Sequence, residues 1–150
     1  MTMRSATHAT FVIERTYDAS PAKVFAAWAT ADAKARWFGA AEGNGTYKLD
    51  FKVGGRESSR GDLPDGQTYT YDATFQDIVP DERIIYSYDM VFGGKRISVS
   101  VTTVELKPAG KATKLTFTEQ GAFLAGLDNP AQREAGTKQI LDKLGTTLKA

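Results

Sequence analysis

The chain has 150 residues, with 19 Lys+Arg against 18 Asp+Glu for a formal net charge of +1, one His and no Cys. Without Cys there is no disulfide scaffold, thiol nucleophile, iron–sulfur cluster or Cys-type zinc site, and His8 alone cannot build a multi-His metal site. Near-neutral charge argues against general nucleic-acid binding, which needs a basic face to displace counterions, and no apolar run reaches the roughly 20 residues of a membrane span.

The N-terminus, Met1-Thr2-Met3-Arg4-Ser5-Ala6-Thr7-His8, lacks the apolar core of a secretory signal. The expectation is a soluble cytoplasmic protein: one domain over residues 1–150, with 1–9 as a flexible N-terminal segment.

Thr10 to Tyr17 is rich in β-branched and aromatic residues and reads as the first strand. Ser20-Pro21 supplies an N-cap hydroxyl and a proline suited to the first helical position. Val24, Phe25 and Trp28 then form an apolar stripe on a short helix, and a second helix over Ala31 to Trp37 is capped by Thr30. Gly39 to Gly45 reads as a loop.

From Thr46 onward the period changes from helical to two. Tyr47, Leu49, Phe51 and Val53 alternate with polar residues until Gly54-Gly55 interrupts them with a bulge or bend. Asp65-Gly66 signals a hairpin, followed by Tyr69, Tyr71, Ala73 and Phe75. Pro80-Asp81 turns the chain, and Ile84, Tyr86, Tyr88 and Met90 alternate in turn. Gly93-Gly94 makes the next hairpin. Ile97, Val99 and Val101 follow, expected inward, with Ser98, Ser100 and Thr102 on the other face. After Pro108-Ala109-Gly110-Lys111, the last strand carries Leu115, Phe117 and Glu119.

Asn129-Pro130 caps a final helix, in which Ile140, Leu141, Leu144 and Leu148 recur at helical spacing. Consecutive strands on short turns give an antiparallel sheet, and its apolar face needs a cover. The expected class is α+β: a curved antiparallel sheet of about seven strands around a long C-terminal helix, with two short helices after the first strand.

Three stretches carry a resemblance to a known family. They are Glu14 to Phe25 (E-R-T-Y-D-A-S-P-A-K-V-F), the pair Trp37-Phe38, and Asp50 to Arg56 (D-F-K-V-G-G-R). Thr118-Glu119-Gln120-Gly121 adds to them. Together they resemble the family named for the activator of the heat-shock-protein-90 ATPase, within the START-like, Bet v 1-like (SRPBCC) superfamily. The similarity runs from about Thr10 to Lys149. Many members begin the last helix with Gly-Trp where this chain has Gly136-Thr137, which leaves more room in a cavity or a different entrance. The resemblance implies a helix-grip fold with a cavity between sheet and helix that holds lipids, sterols, polyketides or other apolar molecules. A few relatives are cyclases or aromatases. Eukaryotic namesakes bind a chaperone, but carry this domain attached to a second one.

The residues themselves point to a container. Trp37, Tyr69, Tyr71, Phe75, Tyr86, Tyr88, Ile97, Val99 and Phe117 are expected to face the helix, where Leu141 and Leu144 would close the space. Four of these nine are tyrosines, whose phenols need partners when buried and are easier to satisfy around a partly wet cavity. Glu119 has inward parity, and an inward carboxylate is costly unless paired, with Arg56 or Arg96 as the expected partner. Arg15 shares parity with Phe11 and Ile13.

Three readings follow. The first is a binding protein for a small hydrophobic or amphipathic, lipid-like ligand, with no cofactor and no metal. The second is a cyclase- or hydrolase-type enzyme using Glu119, Arg56 and the tyrosines, weakened by the scarcity of the usual bases and nucleophiles. The third is a chaperone-interacting protein. An open edge strand would also allow a homodimer.

Overall fold

The structure, a computed structural model, describes residues 4–39 and 45–149. The predicted loop therefore lies outside the described residues over 40–44, as do residues 1–3. Among the described residues, seven strands form one antiparallel sheet: β1 (Ala6–Tyr17), β2 (Thr46–Leu49), β3 (Arg56–Asp62), β4 (Thr68–Val79), β5 (Arg83–Phe92), β6 (Lys95–Ala109) and β7 (Ala112–Leu124). Three helices among the described residues accompany them: α1 (Pro21–Ala29), α2 (Ala31–Phe38) and α3 (Pro130–Leu148). The sheet order is β1-β7-β6-β5-β4-β3-β2. No helix among the described residues is long and apolar enough to cross a membrane.

β4 to β7 follow the turn signals as a meander. Val79 pairs with Arg83, Phe92 with Lys95, and Ala109 with Ala112. β1 adds to the far edge of β7 through Ala6↔Leu124 to Tyr17↔Thr113. The first strand thus begins at Ala6, and residues 6–9 are held in the ladder rather than forming part of a flexible segment. Phe51 and Val53 fall in the turn after β2, where Gly54 adopts φ 82° and its N–H donates to the Phe75 carbonyl at 2.8 Å.

The helices start where the caps place them. Ser20 Oγ accepts from the Lys23 N–H at 3.2 Å, Thr30 Oγ1 from Ala33 at 3.2 Å, and Asn129 Oδ1 from Ala131 at 2.8 Å. The buried stripe of α3 is Thr137, Leu141, Leu144 and Leu148, and its three leucines pack into one core with Ile13, Val24, Leu115 and Trp28. Tyr17 pins α3 to the sheet, its hydroxyl donating to the Leu141 carbonyl at 2.7 Å. Gly145 permits that approach, because a Cβ there would stand 3.1 Å from the Tyr17 ring. At the other end Lys23 Nζ donates to the Leu148 carbonyl at 3.0 Å, tying α1 to the helix C-terminus.

The face assignment of β6 differs from expectation. Ser98, Ser100 and Thr102 are buried, whereas Val99 and Val101 are 45% and 43% exposed. Met90 pairs with Ser98 and Val91 with Arg96, so Ile97 is an extra residue in β6, a β-bulge. Ile97 and Ser98 are buried one after the other, and the inward set then continues as Ser100, Thr102, Val104 and Leu106. Val99 is therefore an outer-face residue and lines no internal cavity.

Candidate functional site

A cavity of about 190 Å³ lies between the sheet and α3. Trp28, Trp37 and Phe38 of the short helices close one side. The sheet contributes Ser59, Tyr69, Tyr71, Tyr86, Tyr88, Met90, Phe117 and Glu119, and α3 contributes Arg133, Thr137, Ile140 and Leu141. The rings form a continuous wall. Ring centroids lie 4.6 Å apart for Trp28 and Trp37, 5.2 Å for Phe38 and Tyr71, and 4.8 Å for Tyr71 and Tyr88. Met90, Arg133, Thr137 and Ile140 also line a surface groove with Phe92, Asp128, Gln132 and Gly136, so they separate the cavity from solvent at that end.

A polar cluster around Glu119 faces this space. Tyr88 donates its hydroxyl proton to Glu119, lying 2.9 and 2.8 Å from Oε1 and Oε2. Ser100 Oγ donates to Oε2 at 3.1 Å and Thr102 Oγ1 to Oε1 at 3.4 Å. Arg133 Nη1 donates to the Tyr88 hydroxyl at 2.8 Å and reaches Glu119 Oε2 at 3.5 Å. Arg133 Nη2 donates to Ser98 Oγ at 2.8 Å and to Asp128 Oδ2. The guanidinium also sits over Phe123, 5.3 Å from its centroid. Burial raises the Glu119 carboxyl above its ordinary range, against the hydrogen bonds from Tyr88 and the charge of Arg133, which lower it. Burial, reinforced by Glu119, likewise holds the Tyr88 phenol protonated.

A second charged cluster lies behind the aromatic wall. Lys34 and Glu57 are both fully buried, with Nζ 2.7 Å from Oε1. Tyr47 donates to the other Glu57 oxygen at 2.5 Å. The Lys34 ammonium lies 4.4 Å from the Phe38 centroid and 5.2 Å from that of Trp28. Burial lowers the Lys34 pKa, opposed by the Glu57 charge.

Of the residues singled out from sequence, Trp37, Tyr69, Tyr71, Tyr86, Tyr88, Phe117, Glu119 and Leu141 stand around this cavity. Phe75 and Leu144 are sealed in the core, 1% and 0% exposed, and are not part of its wall. Ile97 is buried at the bulge, away from the wall. Arg56 is exposed and borders an outer-face groove with Asp72 and Arg96. Neither arginine can pair with Glu119: Arg96 Nε donates to Asp89 at 2.8 Å on that outer side. The partner is Arg133, four residues beyond the α3 N-cap. Arg15 Nε donates to Asp142 of α3 at 2.8 Å, at the margin of the core.

Sequence reasoning missed Arg133, Lys34, Glu57 and Ser59. A signal existed for β6: Val104 and Leu106 share parity with Ser98 and Thr102, not with Val99. None existed for Lys34, a charged residue on a short helix, or for Glu57, which lies in a strand of largely polar sequence.

The profile of the Activator of Hsp90 ATPase homolog 1-like protein family matches residues 18–149. The chain belongs to that family. An uncharacterized protein from Rhizobium leguminosarum is 46% identical with a TM-score of 0.93, over 99% of each chain. Mll3558 from Rhizobium loti is 48% identical with a TM-score of 0.90, over 95% of this chain and 98% of that one. CalU16 from Micromonospora echinospora, at 20% identity and a TM-score of 0.69 over 97% and 84%, shares the fold. No curated protein matches. The helix-grip architecture of this family commonly holds hydrophobic ligands.

Proposed function

We propose that the protein binds a small hydrophobic or amphipathic molecule in the cavity between the sheet and α3. The observation that carries this reading is an aromatic-walled space of about 190 Å³ with one charged cluster at its edge. Apolar walls with a few placed polar groups are the usual composition of a small-molecule site. Thermal unfolding of the full chain with and without a panel of small aromatic and aliphatic compounds tests the reading. At least one compound is expected to raise the Tm in a concentration-dependent way, as mass action requires of anything that binds only the folded state. No shift across the panel at millimolar concentration counts against it.

Glu119 bears on the alternative, an enzyme of the cyclase or hydrolase kind. A carboxylate buried beside a cavity with a raised pKa is a candidate acid or base. Here, however, its two oxygens already accept from Tyr88, Ser100, Thr102 and Arg133. Its lone pairs are committed to holding Tyr88 and Arg133 in place, which favours a positioning role.

A further inference from the structure

The chemical class of ligand follows from an account of the polar side chains that the described residues place around the cavity; it rests on the binding reading above and narrows it. Tyr88 is committed to Glu119 and Arg133. Tyr69 shares a hydrogen bond with Ser59 at 3.2 Å, and Tyr86 one with Thr102. The Trp37 indole N–H donates to the Ala27 carbonyl at 2.9 Å. Thr137 donates to the Arg133 carbonyl at 2.8 Å. Two groups remain. Among the described residues, Trp28 Nε1 and the Tyr71 hydroxyl are the buried side-chain polar atoms without a hydrogen-bond partner. Both side chains line the cavity, and they are 1% and 7% exposed.

Buried donors are rarely left orphaned, because each forfeits the bond it made to water in the unfolded chain. An indole N–H can only donate. The Tyr71 phenol stays protonated, since burial and the charges of Glu57 and Glu119 push its pKa far up, and it too can donate. The pair therefore calls for an acceptor atom.

Charge narrows the class further. Among the described residues lining the cavity, Arg133 is the one cation. It already faces two carboxylates, Glu119 and Asp128. With Glu119 ionised the trio carries one net negative charge, and with Glu119 protonated it is neutral. Behind the wall, Lys34 is matched by Glu57. In neither state does the cavity offer a free positive charge to an anion, and desolvating an unpaired carboxylate there is costly.

Size and shape complete the argument. An engineered cavity of about 150 Å³ holds benzene, so about 190 Å³ suits one ring or two fused rings. The walls are largely aromatic faces and edges, which favour a flat partner.

We infer that the cavity selects an uncharged, compact aromatic molecule bearing a carbonyl-type acceptor, which Trp28 Nε1 and the Tyr71 hydroxyl receive. Fatty acids and other carboxylates are the wrong class for it.

Three matched probes test the assignment on the full chain: 1-indanone, indane, which lacks the acceptor, and indane-1-carboxylate, the anion. Affinities are measured by calorimetry for the wild type, Trp28→Phe and Tyr71→Phe. Each substitution should weaken 1-indanone about tenfold and leave indane within about twofold, a double difference that cancels the probes' unequal hydration. The carboxylate should bind at least about tenfold more weakly than 1-indanone. The chain has two tryptophans, so ¹H–¹⁵N spectra of wild-type protein report the indole directly, whether or not the variants fold. The Trp28 indole proton should lie further downfield with 1-indanone than with indane. Binding of 1-indanone and indane with no difference in that signal overturns the donor assignment while leaving the binding reading intact. Carboxylate affinity equal to that of 1-indanone overturns the charge argument. Failure of all three probes to bind overturns this inference and, together with an empty thermal-shift panel, the binding reading as well.

Discussion

Glu119 illustrates how much a single buried carboxylate organises. It is 1% exposed and gathers partners from β5, β6 and α3. Replacing it by Gln keeps the shape but puts an amide donor against the Tyr88 and Ser100 donors, which should cost about 1–3 kcal/mol in urea unfolding. The pH dependence has a definite sign. The folded-state pKa is raised, so the protonated form contributes stability that is fully present below the unfolded carboxylate value and is lost as pH rises through the folded one. The penalty of Glu119→Gln should therefore be largest near pH 4 and shrink toward pH 8, in parallel denaturation series of the two proteins. Lys34 and Glu57 offer a second test at this scale. Lys34→Met strands a fully buried carboxylate and should cost about 3–5 kcal/mol. The double variant Lys34→Met/Glu57→Leu should recover much of that loss. A double variant no more stable than the single one would show that Tyr47, left without its acceptor, dominates the cluster.

Among the elements, the turn from β2 to β3 and the bulge in β6 set the shape of the site. Gly55 N–H donates to the Lys52 carbonyl at 2.8 Å, and its own carbonyl accepts from Phe75 at 3.0 Å. A Cβ at Gly55 would lie 2.1 Å from the Asp50 carbonyl oxygen, so Gly55→Ala must open the turn. The expected loss is at least about 2 kcal/mol, read as a lowered urea midpoint at unchanged m-value. The Gly54-Gly55 signal was legible because only glycine tolerates such geometry. The β6 bulge was not legible in the same way. Valine at 99 and 101 looked like a core stripe, yet the sheet turns those residues outward and spends its inward positions on Ser98, Ser100 and Thr102, the hydrogen-bond partners of Arg133 and Glu119. β3 has little apolar alternation, because Glu57 and Ser59 are its buried residues. Hydrophobic periodicity cannot report a strand whose inward side chains are polar.

For the whole molecule, cavity volume is the quantity that matters. Thr137 stands on the α3 face that borders the cavity. Thr137→Trp should put an indole into the space of about 190 Å³ and abolish binding of any compound that stabilises the wild type. The measurement is the ligand-induced Tm shift, with circular dichroism showing that the helices persist. A variant that keeps the full shift would place the bound molecule elsewhere. Native mass spectrometry of protein purified without detergent would add the mass of any retained molecule and the subunit count.

The sequence by itself determined the elements and their order: the caps at Ser20, Thr30 and Asn129, the hairpins at Asp65-Gly66 and Gly93-Gly94, and the apolar stripe of α3. These signals are local, since a cap, a turn or a helical repeat is written within a few residues. The inward parity of Glu119 and of the tyrosines was legible for the same reason. Only the tertiary structure decided that β1 closes on β7, that Arg133 and not Arg56 or Arg96 meets Glu119, that Lys34 is buried against Glu57, and that Trp28 Nε1 and the Tyr71 hydroxyl are, among the described residues, the buried side-chain donors without partners. Those outcomes depend on contacts between residues far apart in the chain, and on a bulge that inverts side-chain parity partway along a strand. A charged side chain becomes a site when the fold removes its water and fixes its partner, and neither event is written beside it in the sequence.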